Sequence, residues 1–91
     1  MNQELFKIWA EAERNLLAAR ATIENPKTGE NGFSEVRFLE YIEHNELGLA
    51  LSELEGIPIF NEVHHEFWQL LLNAATIMKI EEKMVEFKSR L

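Results

Sequence analysis

The sequence predicts an all-α protein, a small antiparallel bundle of four to five helices forming one domain over residues 1–91. Three observations lead there. Apolar residues recur at alternating spacings of three and four through every long segment, the period of a helix face turned toward a core. The interruptions coincide with helix-stopping signals at Asn25-Pro26, His44-Asn45 and Gly56 followed by Pro58. The connections are short, so successive helices are neighbours with apolar stripes to bury. Hydrophobic residues make up 46% of a chain of 91 residues, enough for one core and too few for two domains.

The first helix is predicted over residues 2–24, with Leu5, Trp9, Ala12, Leu16, Ala19 and Ile23 along one seam. It stops before Pro26, and residues 25–32 read as a loop. A second helix starts near Ser34, which can cap it while Phe33 packs on Phe38 as a hydrophobic staple. Val36, Leu39 and Ile42, flanked by Phe38 and Tyr41, supply its apolar side. The phase shifts at His44-Asn45, where asparagine tolerates the left-handed conformation that ends a helix. A third helix over residues 46–55 carries Leu47, Ala50, Leu51 and Leu54, is closed by Gly56, and cannot continue past Pro58. Asn61 is the expected cap of the last segment. From Val63 a regular apolar rhythm runs through Phe67, Leu70, Ala74, Ile77, Met84 and Phe87 to Leu91. No glycine or proline interrupts it, so periodicity favours one long helix over two meeting near Met78-Lys79. Trp9, Phe38, Phe67 and Trp68 are the expected bulky core members.

The net charge of −7 is unevenly distributed. Glutamates and cations balance over residues 1–29, and cations slightly exceed glutamates over 67–91. Residues 30–66 hold Glu30, Glu35, Glu40, Glu43, Glu46, Glu53, Glu55, Glu62 and Glu66 against Arg37 alone. Such a segment disfavours nucleic acid and anionic membranes, both of which need lysine and arginine, and suits a basic partner. The same charge also serves solubility. No apolar run reaches the ~20 residues of a membrane span, and Met1-Asn2-Gln3-Glu4 lacks the basic stretch of a signal peptide. With no cysteine there is neither a disulfide framework nor a thiolate metal site, in keeping with a cytoplasmic location.

Catalytic constellations are incomplete. Glu62-x-x-His65 has the spacing of a carboxylate-bridged metal helix, but no second copy completes it. His44, His64 and His65 make a poor zinc set, because adjacent histidines diverge by about 100° around a helix. The chain has no aspartate, no Gly-x-Ser-x-Gly elbow and no phosphate-binding loop. The reading is of a non-enzymatic protein with no cofactor and no metal. It acts by binding another protein, with Glu40, Glu43, His44, Glu46, Glu53 and Glu55 as the expected partner-binding residues. His44 stands near a helix C-terminus, where a cation is favoured.

The stretch from Phe38 to Leu54 adds a resemblance. In it Tyr41, His44, Glu46, Gly48, Ala50, Leu51 and Leu54 follow a Tyr-(Leu/Ile)-x-His-x-Glu pattern, then (Tyr/Leu)-Gly-x-Ala-Leu and a leucine three residues on. This resembles the small bacterial immunity proteins of polymorphic toxin systems, the Maf-type group and related contact-dependent growth inhibition immunity proteins. The resemblance implies that the chain neutralises a cognate toxin C-terminal domain by tight binding, EndoU-type ribonucleases being among the toxins paired with this group. Such nucleases are typically basic, so an acidic immunity protein would compete for their RNA-binding surface. From the residues alone, Gly48 and Ala50 also read as positions for close helix packing, and Tyr41 as a hydrogen-bond donor across the bundle. The second functional reading is a helical adaptor or regulatory module. Packing of the C-terminal seam into the chain's own core is favoured there over homodimerisation through residues 77–91.

Overall fold

The computed structural model describes residues 3–28 and 32–91. Along them run α1 (Gln3–Ala21), α2 (Glu35–Glu43), α3 (Leu47–Leu54), a single turn α4 (Ile57–Phe60), α5 (His65–Met78) and α6 (Glu81–Ser89), with no strand among the described residues. The protein is an all-α helical bundle. α1 and α5 form its most extensive pair, α3 lies against both, α2 packs on α3, and α6 packs on α5.

The pairing of α1 with α5 follows from small residues. Ala12, Leu16 and Ala19 are fully buried in one core cluster with Leu71, Ala74 and Ala75, and alanine stripes let two helix axes approach closely. Trp9, expected in the core, is instead 37% exposed, its ring edge-on to Phe6 with centroids 5.9 Å apart. Leu5 is exposed as well. The helix ends at Ala21, earlier than the seam suggests. The Thr22 hydroxyl donates to the Ala19 carbonyl at 2.7 Å and Arg20 Nη1 to the Ile23 carbonyl at 2.8 Å, turning Ile23 back onto the core. Asn25 then takes a left-handed φ of 50°. The expected helix start at residue 2 and loop residues 29–31 lie outside the described residues.

α2 begins as its sequence indicates. Ser34 accepts a hydrogen bond from the Arg37 backbone N–H at 3.3 Å, and the Phe33 and Phe38 rings, both buried, meet at 5.9 Å. That staple also fixes which side of α2 faces inward. Phe38, Tyr41 and Ile42 lie against the core, while Val36 and Leu39, expected inside, are 68% and 49% exposed. The helix stops where Asn45 adopts a φ of 55°. The Asn45 N–H reaches the Ile42 carbonyl at 3.0 Å and the Glu46 N–H the Tyr41 carbonyl at 2.8 Å, closing the otherwise orphaned C-terminal carbonyls.

In α3 the four expected core residues, Leu47, Ala50, Leu51 and Leu54, are all buried. Gly56 follows with an ordinary φ of −76°, so its value is not conformational. A Cβ there would lie 2.8 Å from the Phe33 nitrogen and 3.0 Å from the Gly32 carbonyl carbon. Only glycine lets the backbone before α2 cross the end of α3 so closely. Pro58 does not bar a helix, because it occupies the first turn of α4, where its missing N–H is not needed. Asn61 caps no following helix. Its Oδ1 accepts the Lys27 N–H at 2.8 Å, and its Nδ2 donates to the Lys27 and Ile57 carbonyls at 3.0 and 2.9 Å, fastening the chain after α1 to α4. α5 starts only at His65.

The C-terminal segment is two helices, not one. Lys79 has a left-handed φ of 59°, and the Ile80 N–H donates to the Ala75 carbonyl at 3.0 Å, the same closing pattern that ends α2. A left-handed lysine costs roughly 1–2 kcal/mol. Burying Phe87 completely returns about 2–3 kcal/mol, and its ring packs 6.0 Å from that of Trp68, over which the Arg90 guanidinium sits at 5.1 Å. Packing α6 on α5 therefore outweighs the local strain.

Candidate functional site

The glutamates of the acidic middle segment divide into two groups. Glu35, in the first turn of α2, binds Arg20 of α1 at 2.6 Å. Glu53, near the end of α3, has a side chain only 10% exposed. Its Oε2 accepts the Ser34 N–H at 2.8 Å, and its two oxygens take Arg37 Nε and Nη2 at 3.1 and 3.2 Å. This pairing raises the Arg37 pKa above its usual value. Glu55, after α3, is held by Lys83 of α6 at 2.7 Å. Burial pushes the Glu55 carboxyl above the usual carboxylate range against the pull of that ammonium, while the hydrogen bond to Glu55 raises Lys83. Glu53 and Glu55, expected on a binding surface, are thus committed to holding the fold.

Glu40, Glu43, His44 and Glu46 are different. All four are exposed, and none of them forms an ion pair among the described residues. Glu40 and Glu43 lie one turn apart in the last turns of α2, His44 caps that helix, and Glu46 stands at the N-cap of α3. The His44 ring Nδ1 lies 2.8 Å from the Glu40 carbonyl oxygen. The last turn of α2 contains no basic residue. Its partial negative charge and its glutamates therefore repel, a local cost of a few tenths of a kcal/mol that an outside cation would relieve. Val36 and Leu39 share the outward side with Glu40 and Glu43 through helical spacing, so this face is both apolar and acidic. Glu62, before α5, and Glu66, in its first turn, are also exposed, and Glu30 lies outside the described residues.

Beside this turn lies a groove of about 450 Å³ that sequence reasoning did not anticipate. One wall is Leu5, Ile8 and Trp9 of α1, and the others are Leu47 and Gly48 of α3 and Ile77 and Met78 of α5. The two left-handed residues Asn45 and Lys79 stand at its edge. Gly48 does not serve close helix packing, because a Cβ there would meet nothing within 4 Å. In a helix it costs about 0.5–1 kcal/mol relative to alanine. No local pattern in the sequence marks the groove, because it forms where three helices meet.

Other candidates are not assembled. Glu62 precedes α5 instead of lying on its first turn, so Glu62 and His65 do not share a helix face. Among the described residues no group of three or more histidine or acidic side chains is placed to hold a metal ion. No described helix is long and apolar enough to cross a membrane. Tyr41 is half-buried in a shallow cleft with Arg37 and Glu53, and among the described residues its side chain makes no hydrogen bond across the bundle. Of the C-terminal seam, Phe87 is buried and Met84 packs against the core, while Leu91 is exposed.

Fold and surface together define a small all-α bundle with an acidic turn and an adjoining apolar groove. No family model, curated protein or solved structure matches the chain.

Proposed function

We propose that the protein is an immunity protein that binds and neutralises a cognate bacterial toxin domain, a basic nuclease, through the acidic turn between α2 and α3. The carrying observation is that the fold pairs Glu35, Glu53 and Glu55 internally yet leaves Glu40, Glu43 and Glu46 together and exposed at a helix C-terminus that already carries negative potential. A cationic partner gains there what the chain itself does not supply. The resemblance of residues 38–54 to Maf-type immunity proteins supports the same reading, since that stretch is α2, the acidic turn and α3. Binding follows electrostatic steering, in which a one-sign patch accelerates encounter and salt slows it.

Co-expression with the toxin C-terminal domain encoded immediately upstream tests this directly, the expected result being rescue of growth and a purified complex. In that complex, Glu43→Lys with Glu46→Lys should slow association about tenfold or more and flatten its salt dependence, with unchanged helical content. A purified chain that does not bind its neighbour ends the proposal. Unaltered association of the double variant moves the interface elsewhere.

A further inference from the structure

We infer that the groove between α1, α3 and α5 receives a bulky apolar side chain of the partner, flanked by lysine or arginine residues that engage Glu43 and Glu46. This deepens the immunity reading and rests on it for the partner's identity. Leu5, Ile8 and Trp9 line the groove while remaining substantially exposed, although the rest of the α1 seam is buried in the core. An apolar depression of this size falls in the range of ~300–1,000 Å³ that small ligands and side-chain anchors occupy. Gly48 supplies independent support. It has no steric neighbour and no positive φ, so neither packing nor backbone geometry calls for glycine. What its missing side chain does is keep the groove open.

Charge selects the occupant. Asn45 lines the groove between His44 and the exposed Glu46, and Lys79 at the other edge leads into exposed Glu81 and Glu82. Lys79 is the cation in the lining, whereas the exposed Glu46 adjoins Asn45 and the exposed Glu81 and Glu82 share a neighbouring hollow with Lys79. A second copy of this chain would bring the same acidic rim against itself, which like charges oppose. A partner segment with one aromatic or aliphatic anchor between basic residues satisfies both the groove and its rim, the arrangement of a buried anchor within a polar surround that concentrates binding energy in protein interfaces.

The test titrates the isotope-labelled full chain with a synthetic helical peptide of lysine and leucine bearing one central tryptophan. Matched peptides replace the apolar residues with serine or the lysines with glutamate. The apolar basic peptide should shift the amides of Asn45, Leu47, Gly48 and Lys79, and the two controls should leave Gly48 unmoved. Gly48→Leu should weaken its binding at least tenfold with an undiminished melting temperature. Ile8→Gln, at an exposed position, should do the same through the opposite wall. Glu43→Lys with Glu46→Lys should weaken it several-fold and remove most of its salt dependence. Shifts confined to the Val36 and Leu39 face, or affinity unchanged in both groove variants, overturn the inference. So do groove amides that move with protein concentration alone, which would assign the groove to a second copy. Peptide binding in the groove without toxin neutralisation ends the immunity reading and keeps the groove. Neutralisation that survives Gly48→Leu and Ile8→Gln but fails with the charge reversals does the opposite.

Discussion

The hairpin of α2 and α3 has two ends built on opposite principles. At the end where α2 begins and α3 finishes, the glutamates are paired internally: Glu35 with Arg20, Glu55 with Lys83, and Glu53 with both the Ser34 amide and Arg37, while Gly56 lets the chain backbone pass in contact. At the turn end, Glu40, Glu43 and Glu46 form no ion pair among the described residues, and Gly48 opens onto an apolar groove. The same eight or nine residues of helix separate them. One end spends its chemistry on stability, and the other keeps it for a partner. Charge count in the sequence does not distinguish the two, because a glutamate's availability depends on whether a cation from another helix reaches it.

The two glycines should break the comparison most sharply. Gly56→Ala forces a Cβ against backbone atoms that cannot rotate away, and should destabilise by about 2–3 kcal/mol. In thermal melts that is a fall of roughly 10 °C or more for a domain this small. Gly48→Ala should raise stability by about 0.5–1 kcal/mol, because the added methyl meets nothing and helix propensity improves. Equal destabilisation by both would refute the distinction.

The carboxylates give the next contrast. Glu53→Ala removes the charged acceptor beneath the Ser34 N–H and should cost about 1–2 kcal/mol in urea unfolding. Glu43→Lys should change stability by only a few tenths of a kcal/mol, in the favourable direction, since it places a cation in the last turn of α2. A loss at Glu43 as large as at Glu53 would mean that the turn end is also structural.

The Glu55–Lys83 pair sharpens the comparison through pH, with the smallest effects. The Glu55 carboxyl lies above its unfolded value, so its contribution to stability is full below the usual carboxylate range and diminishes as pH rises through the folded value. Lys83 is raised as well, so its contribution persists through neutral pH and is lost only at strongly alkaline pH. Lys83→Met leaves a largely buried carboxylate without its cation. It should destabilise by about 1 kcal/mol at neutral pH, and progressively less as the pH falls and the Glu55 carboxyl, raised by burial, takes up its proton. Glu55→Gln should cost less and lessen the pH dependence. Stability curves measured between pH 4 and 8 read both.

Legibility followed the range of the interactions involved. The α2 cap and staple at Ser34, Phe33 and Phe38, the stop at Asn45 and the four core positions of α3 were readable because residues within one or two turns decide them. The break at Lys79 was not, because its cause is the packing of Phe87 on Trp68 and of Lys83 on Glu55, contacts made by a helix that exists only after the break. The candidate surface was legible in part. Four of the six residues named from the sequence remain exposed at one turn, whereas Glu53 and Glu55 turned inward to cations on α2 and α6.

The sequence by itself determined that the chain is helical, where α2 and α3 start, and that negative charge gathers between residues 30 and 66. Periodicity and capping are local, and composition is additive, so neither requires knowledge of the fold. Only the tertiary structure decided which glutamates are left over, that Trp9 stands at a groove instead of in the core, and that Gly56 and Gly48 serve opposite ends. Each of those outcomes depends on what another segment places within a few ångströms, and a linear pattern carries no such distance.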